Sequence, residues 1–141
     1  MKREIFKIMV KEHEVIESLL NDFKKFQDKD PTEAKRIFQA FVWNIEKHMF
    51  LEEKILYNVY SVWNGNIGGM FEILEQHGEI LALIKKVKNS YSDKNSLSAL
   101  RELLRDHFVL EETVLYPNLD KALNGEQKEL FIERAQEIIR G

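Results

Sequence analysis

Two ten-residue segments of this chain are nearly the same sequence: His48-Met49-Phe50-Leu51-Glu52-Glu53-Lys54-Ile55-Leu56-Tyr57 and His107-Phe108-Val109-Leu110-Glu111-Glu112-Thr113-Val114-Leu115-Tyr116. Six positions (His, Leu, Glu, Glu, Leu and Tyr) are identical in register. A weaker echo links His13, Ile16 and Leu19 to His77, Ile80 and Leu83. The pattern is that of a helical hairpin used twice. Each copy gives one His from its first helix, then a His and a Glu at i, i+4 from its second. The repeat takes up all four histidines of the chain, so any fold must find a place for all of them.

Hydrophobic periodicity is helical almost throughout. A first helix is expected over residues 2–27, with Ile5, Ile8, Met9, Ile16, Leu20 and Phe23 on one stripe. Asp30-Pro31-Thr32-Glu33 is a helix start, with Asp as the cap, Pro at the first helical position and Glu three residues after the cap. The second helix carries Ile37, Phe38, Phe41, Ile45, Ile55 and Val59 and ends before the Gly-rich loop at 64–69. A third, over 70–91, turns Leu74, Ile80, Ile84 and Val87 inward. After a turn at 92–96, a fourth starts near Leu97 and carries Leu100, Leu104, Val114 and Leu115; Pro117 is expected to stop it. A short helix follows Asn124-Gly125, with Leu130, Phe131, Ala135 and Ile138 as its apolar face. Long amphipathic helices on short loops predict an all-α, up-down-up-down four-helix bundle with a short additional C-terminal helix. With 141 residues, a single domain over 1–141 is expected.

Composition narrows the chemistry. There is no Cys, which removes thiolate metal sites, Fe–S clusters and Cys nucleophiles. A net charge of −3 gives no basic face for nucleic acid. No stretch approaches the roughly 20 apolar residues of a membrane span. The segment 1–7 opens no uninterrupted apolar run, so no signal peptide is expected, and the location is expected to be cytoplasmic.

His48 and Glu52 fall in the series Phe41, Ile45, His48, Glu52, Ile55, Val59, which is the spacing of a buried stripe. His107 and Glu111 continue Leu100 and Leu104, His13 sits between Met9 and Ile16, and His77 between Leu74 and Ile80. Counted from the turns at 1.5 Å per residue, the depths of these residues agree within roughly 6 Å across each helix pair. His13, His48, Glu52, His77, His107 and Glu111 are thus expected at one level, facing an apolar core. Carboxylates buried there without partners would cost several kcal/mol, and bound cations resolve that cost. Two carboxylates set between pairs of His suggest two ions. Iron suits such a nitrogen and oxygen set first, then manganese, while zinc would also bind by affinity order. Glu53 and Glu112, one position further on, turn about 100° off the stripe and are expected to be solvated or to back the ligands. Glu17 is a minor candidate for an extra ligand. Glu12, Glu14, Glu46 and Glu79 are expected on the surface. Tyr57 and Tyr116 are expected to pack and are assigned no chemistry; the alternative is that Glu17 or a Tyr completes the metal shell.

At these residues the chain resembles the hemerythrin-like (HHE cation-binding) family: a His in the first helix, HxxxE in the second, His in the third, HxxxE in the fourth, then Leu115-Tyr116-Pro117. The resemblance implies a four-helix bundle around two non-haem iron ions with an oxo or hydroxo bridge. It implies that Glu52 and Glu111 bridge the irons, that His13 and His48 bind one, and that His77 and His107 bind the other. Oxygen carriers of the family have a fifth His one turn before the position of His77, where this chain has Ile73. Each iron is then left with room for a small ligand.

The expected function is that of a di-iron protein binding dioxygen or a related small diatomic for sensing, transport or storage. Sensing would need a protein partner. A di-iron enzyme acting on peroxide or nitric oxide and an iron-supply or repair protein are the alternatives.

Overall fold

The structure is a computed structural model that describes residues 4–56 and 70–140. Helix α1 spans Glu4–Phe26, α2 Pro31–Phe50, α3 Met70–Asn89 and α4 Lys94–Leu110. Two π-helical segments continue α2 and α4, at Leu51–Leu56 and Glu111–Leu115. Helix α5, Tyr116–Ala122, prolongs α4, and α6, Gly125–Arg140, closes the chain. No strand occurs among the described residues. Helices α1 and α2 pack as one hairpin and α3 and α4 as a second, while α6 lies against α1 and the first π-helical segment. The architecture is an all-α helical bundle with an extra C-terminal helix. The expected Val59, Tyr57 and loop 64–69 lie outside the described residues, as does the side chain of Ile55.

Local sequence sets the helix starts. The Asp30 carboxylate accepts the Glu33 amide at 3.2 Å, and Pro31 supplies a pre-set φ where no amide donor is needed. Asp93 accepts the Ser96 amide at 2.9 Å and the Ser96 hydroxyl at 2.6 Å. That cap starts α4 at Lys94, three residues before the expected Leu97. Asn124 and Gln127 exchange reciprocal 2.9 Å bonds, a capping box that opens α6. Lysines in the last turns of α1 and α3 complement the helix dipoles.

Three expectations need correction. Pro117 does not stop the fourth helix, because it falls in the first turn of α5, where its missing amide is not required, and the chain stays helical to Ala122. Val114 is only half-buried while Leu115 and Tyr116 are buried, since the π-helical turn advances the inward face by one residue. Leu130 is exposed, whereas Phe131 and Ala135 of the same expected face are buried.

The apolar interior falls into two clusters. One gathers Ile16, Phe23, Phe38, Phe41, Ile45, Ile80, Ile84, Leu100 and Leu104. The other gathers Ile5, Met9, Leu51, Ile73, Leu115, Tyr116, Leu119 and Phe131. Between them lies a layer of buried histidines and glutamates. Phe38 anchors the first cluster, with ring centroids 4.8 Å from Phe23 and 5.3 Å from Phe41. Phe38→Ala is expected to cost about 3–5 kcal/mol in denaturant unfolding through the cavity it leaves. Asp30→Ala, which removes only an exposed cap, is expected to cost about 1 kcal/mol.

Candidate metal centre

The polar layer contains all six residues that the repeat singles out. His13, His48, Glu52, His77, His107 and Glu111 are each at most 3% exposed. Their inner atoms converge. His13 Nε2 stands 3.1 Å from His48 Nε2 and 2.9 Å from Glu111 Oε1. His77 Nε2 is 2.9 Å from Glu52 Oε1, and His107 Nε2 is 3.1 Å from Glu111 Oε2. Two clusters result, each with one ligand atom per residue within 4.8 Å of the others: Glu52, His77, His107 and Glu111, and His13, His48 and Glu111. Glu111 belongs to both. The first cluster is the wider, with His77 Nε2 4.0 Å from Glu111 Oε2.

The outer ring nitrogens explain why the inner ones face the layer. His13 Nδ1 donates to Glu112 and His77 Nδ1 donates to Glu53, both at 2.7 Å. His107 Nδ1 donates to Gln76 Oε1 at 2.7 Å. A neutral imidazole with its proton held outward presents Nε2 as a lone pair, the tautomer a metal ion needs. The second glutamate of each repeat thus backs the histidine from the other hairpin. Its turn off the buried stripe is what takes it to the rim of the layer. Phe108 stacks on the His13 ring at 3.7 Å and 10° and fixes its plane. Glu12, expected on the surface, is buried beside His13 in sequence, and Glu17 is exposed, which removes it as a ligand candidate.

The donor chemistry fits a cation. His107 Nε2 and Glu111 Oε2 are fully buried without a hydrogen-bond partner, although they face each other. Burial works against a charged His48, yet the Glu52 charge and hydrogen bonds to Glu111 and Glu52 outweigh it and raise its pKa to about 10. Burial opposes ionisation of Glu111 too, but hydrogen bonding by Glu52 and the neighbouring His107 hold it well below the usual carboxylate range. The carboxylate charge is therefore available in the layer, balanced by protons on imidazoles. A cation that replaces those protons releases them.

One residue of the layer escapes the sequence pattern. The Tyr116 hydroxyl donates to Glu52 Oε2 at 2.7 Å or Glu111 Oε1 at 2.9 Å, and lies 3.1 Å from His13 Nε2 and 3.2 Å from His48 Nε2. Burial and the two carboxylates push its pKa well above the usual phenol value. On a regular α-helix Tyr116 would stand about 140° around the axis from Glu111. The Tyr116 amide instead bonds the Glu111 carbonyl, an i to i+5 turn that brings the ring over the carboxylate. The repeated Tyr was the available signal, and a regular helical wheel hides it. Its counterpart Tyr57 lies outside the described residues.

The outward hydrogen bonds yield a test that leaves the inner atoms in place. Glu112→Ala is expected to weaken zinc binding about ten- to a hundred-fold, measured by competition with a chromophoric chelator. Glu14→Ala, on the exposed face of α1, is expected to leave it unchanged.

No curated protein and no solved structure matches this chain. The family model of the hemerythrin HHE cation binding domain matches residues 4–119, a span that takes in both hairpins and every residue of the polar layer. The chain belongs to the hemerythrin HHE cation-binding family.

Proposed function

We propose that the chain is a non-haem di-iron protein that binds dioxygen or a related small diatomic ligand, for sensing, transport or storage in the cytoplasm. The observation that carries this reading is the pair of overlapping clusters joined by Glu111. His13 and His48 would hold one iron, His77 and His107 the other, with Glu52 and Glu111 shared. Two ions that share a carboxylate keep a short separation, so a small molecule could meet both. The donor set is nitrogen and oxygen only, which suits iron; manganese and zinc are its substitutes. Iron supplies reversible redox chemistry and small-ligand affinity when bound. The protein's own part is to hold the outer imidazole protons, to keep the layer dry between two apolar clusters, and to limit the donor count.

Ile73 bears on that count. It lies one helical turn before His77, is 1% exposed, and packs in the apolar cluster that also contains Leu115 and Tyr116. Residues four apart share a helix face, so Ile73 stands on the side of α3 that carries His77 and offers no donor atom. A position for a small exogenous ligand follows on that half.

Protein loaded anaerobically with ferrous iron is expected to retain two irons per chain by elemental analysis. After oxidation it is expected to bind azide with a new visible absorption band. Ile73→His should supply a further donor and weaken azide binding at least tenfold. One iron per chain, or none, contradicts the dinuclear reading. Two irons with no azide response contradict the small-ligand reading.

A further inference from the structure

On the basis of that di-iron reading, we propose that Tyr116 is itself a metal ligand, the oxygen that completes a four-donor cage with His13, His48 and Glu111. Among the described residues, the histidine and carboxylate atoms that converge on this half come from His13, His48 and Glu111, besides the Glu52 carboxylate that the di-iron reading shares between the ions.

The geometry is that of a coordination cage. Four atoms are involved: His13 Nε2, His48 Nε2, Glu111 Oε1 and the Tyr116 hydroxyl oxygen. The histidine nitrogens are 3.1 Å apart, and they lie 2.9 and 3.4 Å from Glu111 Oε1. The Tyr116 oxygen lies 3.1 and 3.2 Å from the two nitrogens and 2.9 Å from Glu111 Oε1. Those six separations are the edges of a nearly regular tetrahedron. Its centre stands about 1.9 Å from every corner, close to the roughly 2.0–2.2 Å at which nitrogen and oxygen ligands surround a transition-metal ion. Four side chains from three different stretches of the chain do not reach such near-equal spacing through apolar packing.

A phenol has one proton to donate, and four polar atoms crowd its oxygen, counting Glu52 Oε2 at 2.7 Å. With its proton held outward by Glu112 at 2.7 Å, a neutral His13 presents Nε2 as a lone pair. A cation at the centre takes the four cage atoms as ligands at once, and any proton on His48 Nε2 passes to solvent. On binding, the ion–oxygen bond forms, the Tyr116 O–H bond breaks, and the proton passes to solvent. A bound cation reverses the local preference for a neutral acid, as it does for a thiol at zinc. The i to i+5 turn at Glu111 then has a specific use, since it carries both the carboxylate and the phenol of this cage.

The test is the spectrum of the iron-loaded, air-oxidised protein, read together with its iron content. A phenolate on ferric iron gives a visible charge-transfer band, and excitation into that band enhances tyrosine ring vibrations in the Raman spectrum. Both signals are expected from the native chain at two irons per chain. Tyr116→Phe should abolish both while iron stays at two per chain. The chain has four tyrosines, so replacing Tyr57, Tyr60 and Tyr91 together with Phe leaves Tyr116 alone and should preserve both signals. This variant also decides the matter if Tyr116→Phe does not fold. Two irons without enhanced ring modes, or modes that survive Tyr116→Phe, overturn the proposal and leave the di-iron reading intact. Fewer than two irons in the native protein overturns the di-iron reading, and the cage with it.

Discussion

The bundle is organised around a layer of lone pairs that cannot be left facing one another. Six ionisable side chains and a phenol are removed from water between two apolar clusters. A carboxylate buried without compensation is expensive, and so is any pair of acceptors pressed together. Some of the compensation is visible at the rim, where Glu53, Gln76 and Glu112 hold the outer protons of His77, His107 and His13. On the inner side the carboxylate charge is balanced by protons on imidazoles, His48 above all, which a cation can replace. That exchange makes the layer a receptor for positive charge, and the layer binds the two hairpins to each other. Each rim contact crosses between elements: His13 of α1 meets Glu112 beyond α4, and His77 of α3 meets Glu53 beyond α2.

The two π-helical segments belong to the same arrangement. Both begin within a few residues of the second His of their repeat, and each contains a buried glutamate. A widened turn lets residues that a regular helix would splay apart share one face. After the second segment it places Glu111, Leu115 and Tyr116 inward together, and it delivers Leu119 and Leu123 to the lower apolar cluster. The shape of the polar layer and the packing of the C-terminal half thus depend on one local departure from α geometry.

Much of this was legible in the sequence. The periodic stripes and the Asp30-Pro31 start were enough for the helices, and the duplicated HxxxE segment together with the weaker echo of His13 at His77 was enough for the six inward residues. The inward place of Tyr116 was legible only as the alternative that a Tyr completes the shell. Helical-wheel reasoning assumes about 100° per residue, and the error it makes across a π-helical turn falls on the residues just after Glu111. The same slip misplaced Val114. Pro117 misled for a related reason: proline breaks a helix interior but suits a first turn, and the interruption that makes one here is conformational, with no loop residue to announce it. Glu12 shows a third limit. Its position beside an inward His made it a surface residue by angle, yet it is buried in the packed bundle.

The central claim is that the layer holds two cations at two places that share Glu111. Anomalous diffraction at the iron edge, from crystals of the iron-loaded protein, reads that directly. Two peaks per chain are expected, one enclosed by His13, His48 and Glu111 and the other by Glu52, His77, His107 and Glu111. A single peak in the layer, or peaks only at surface carboxylates, would contradict it.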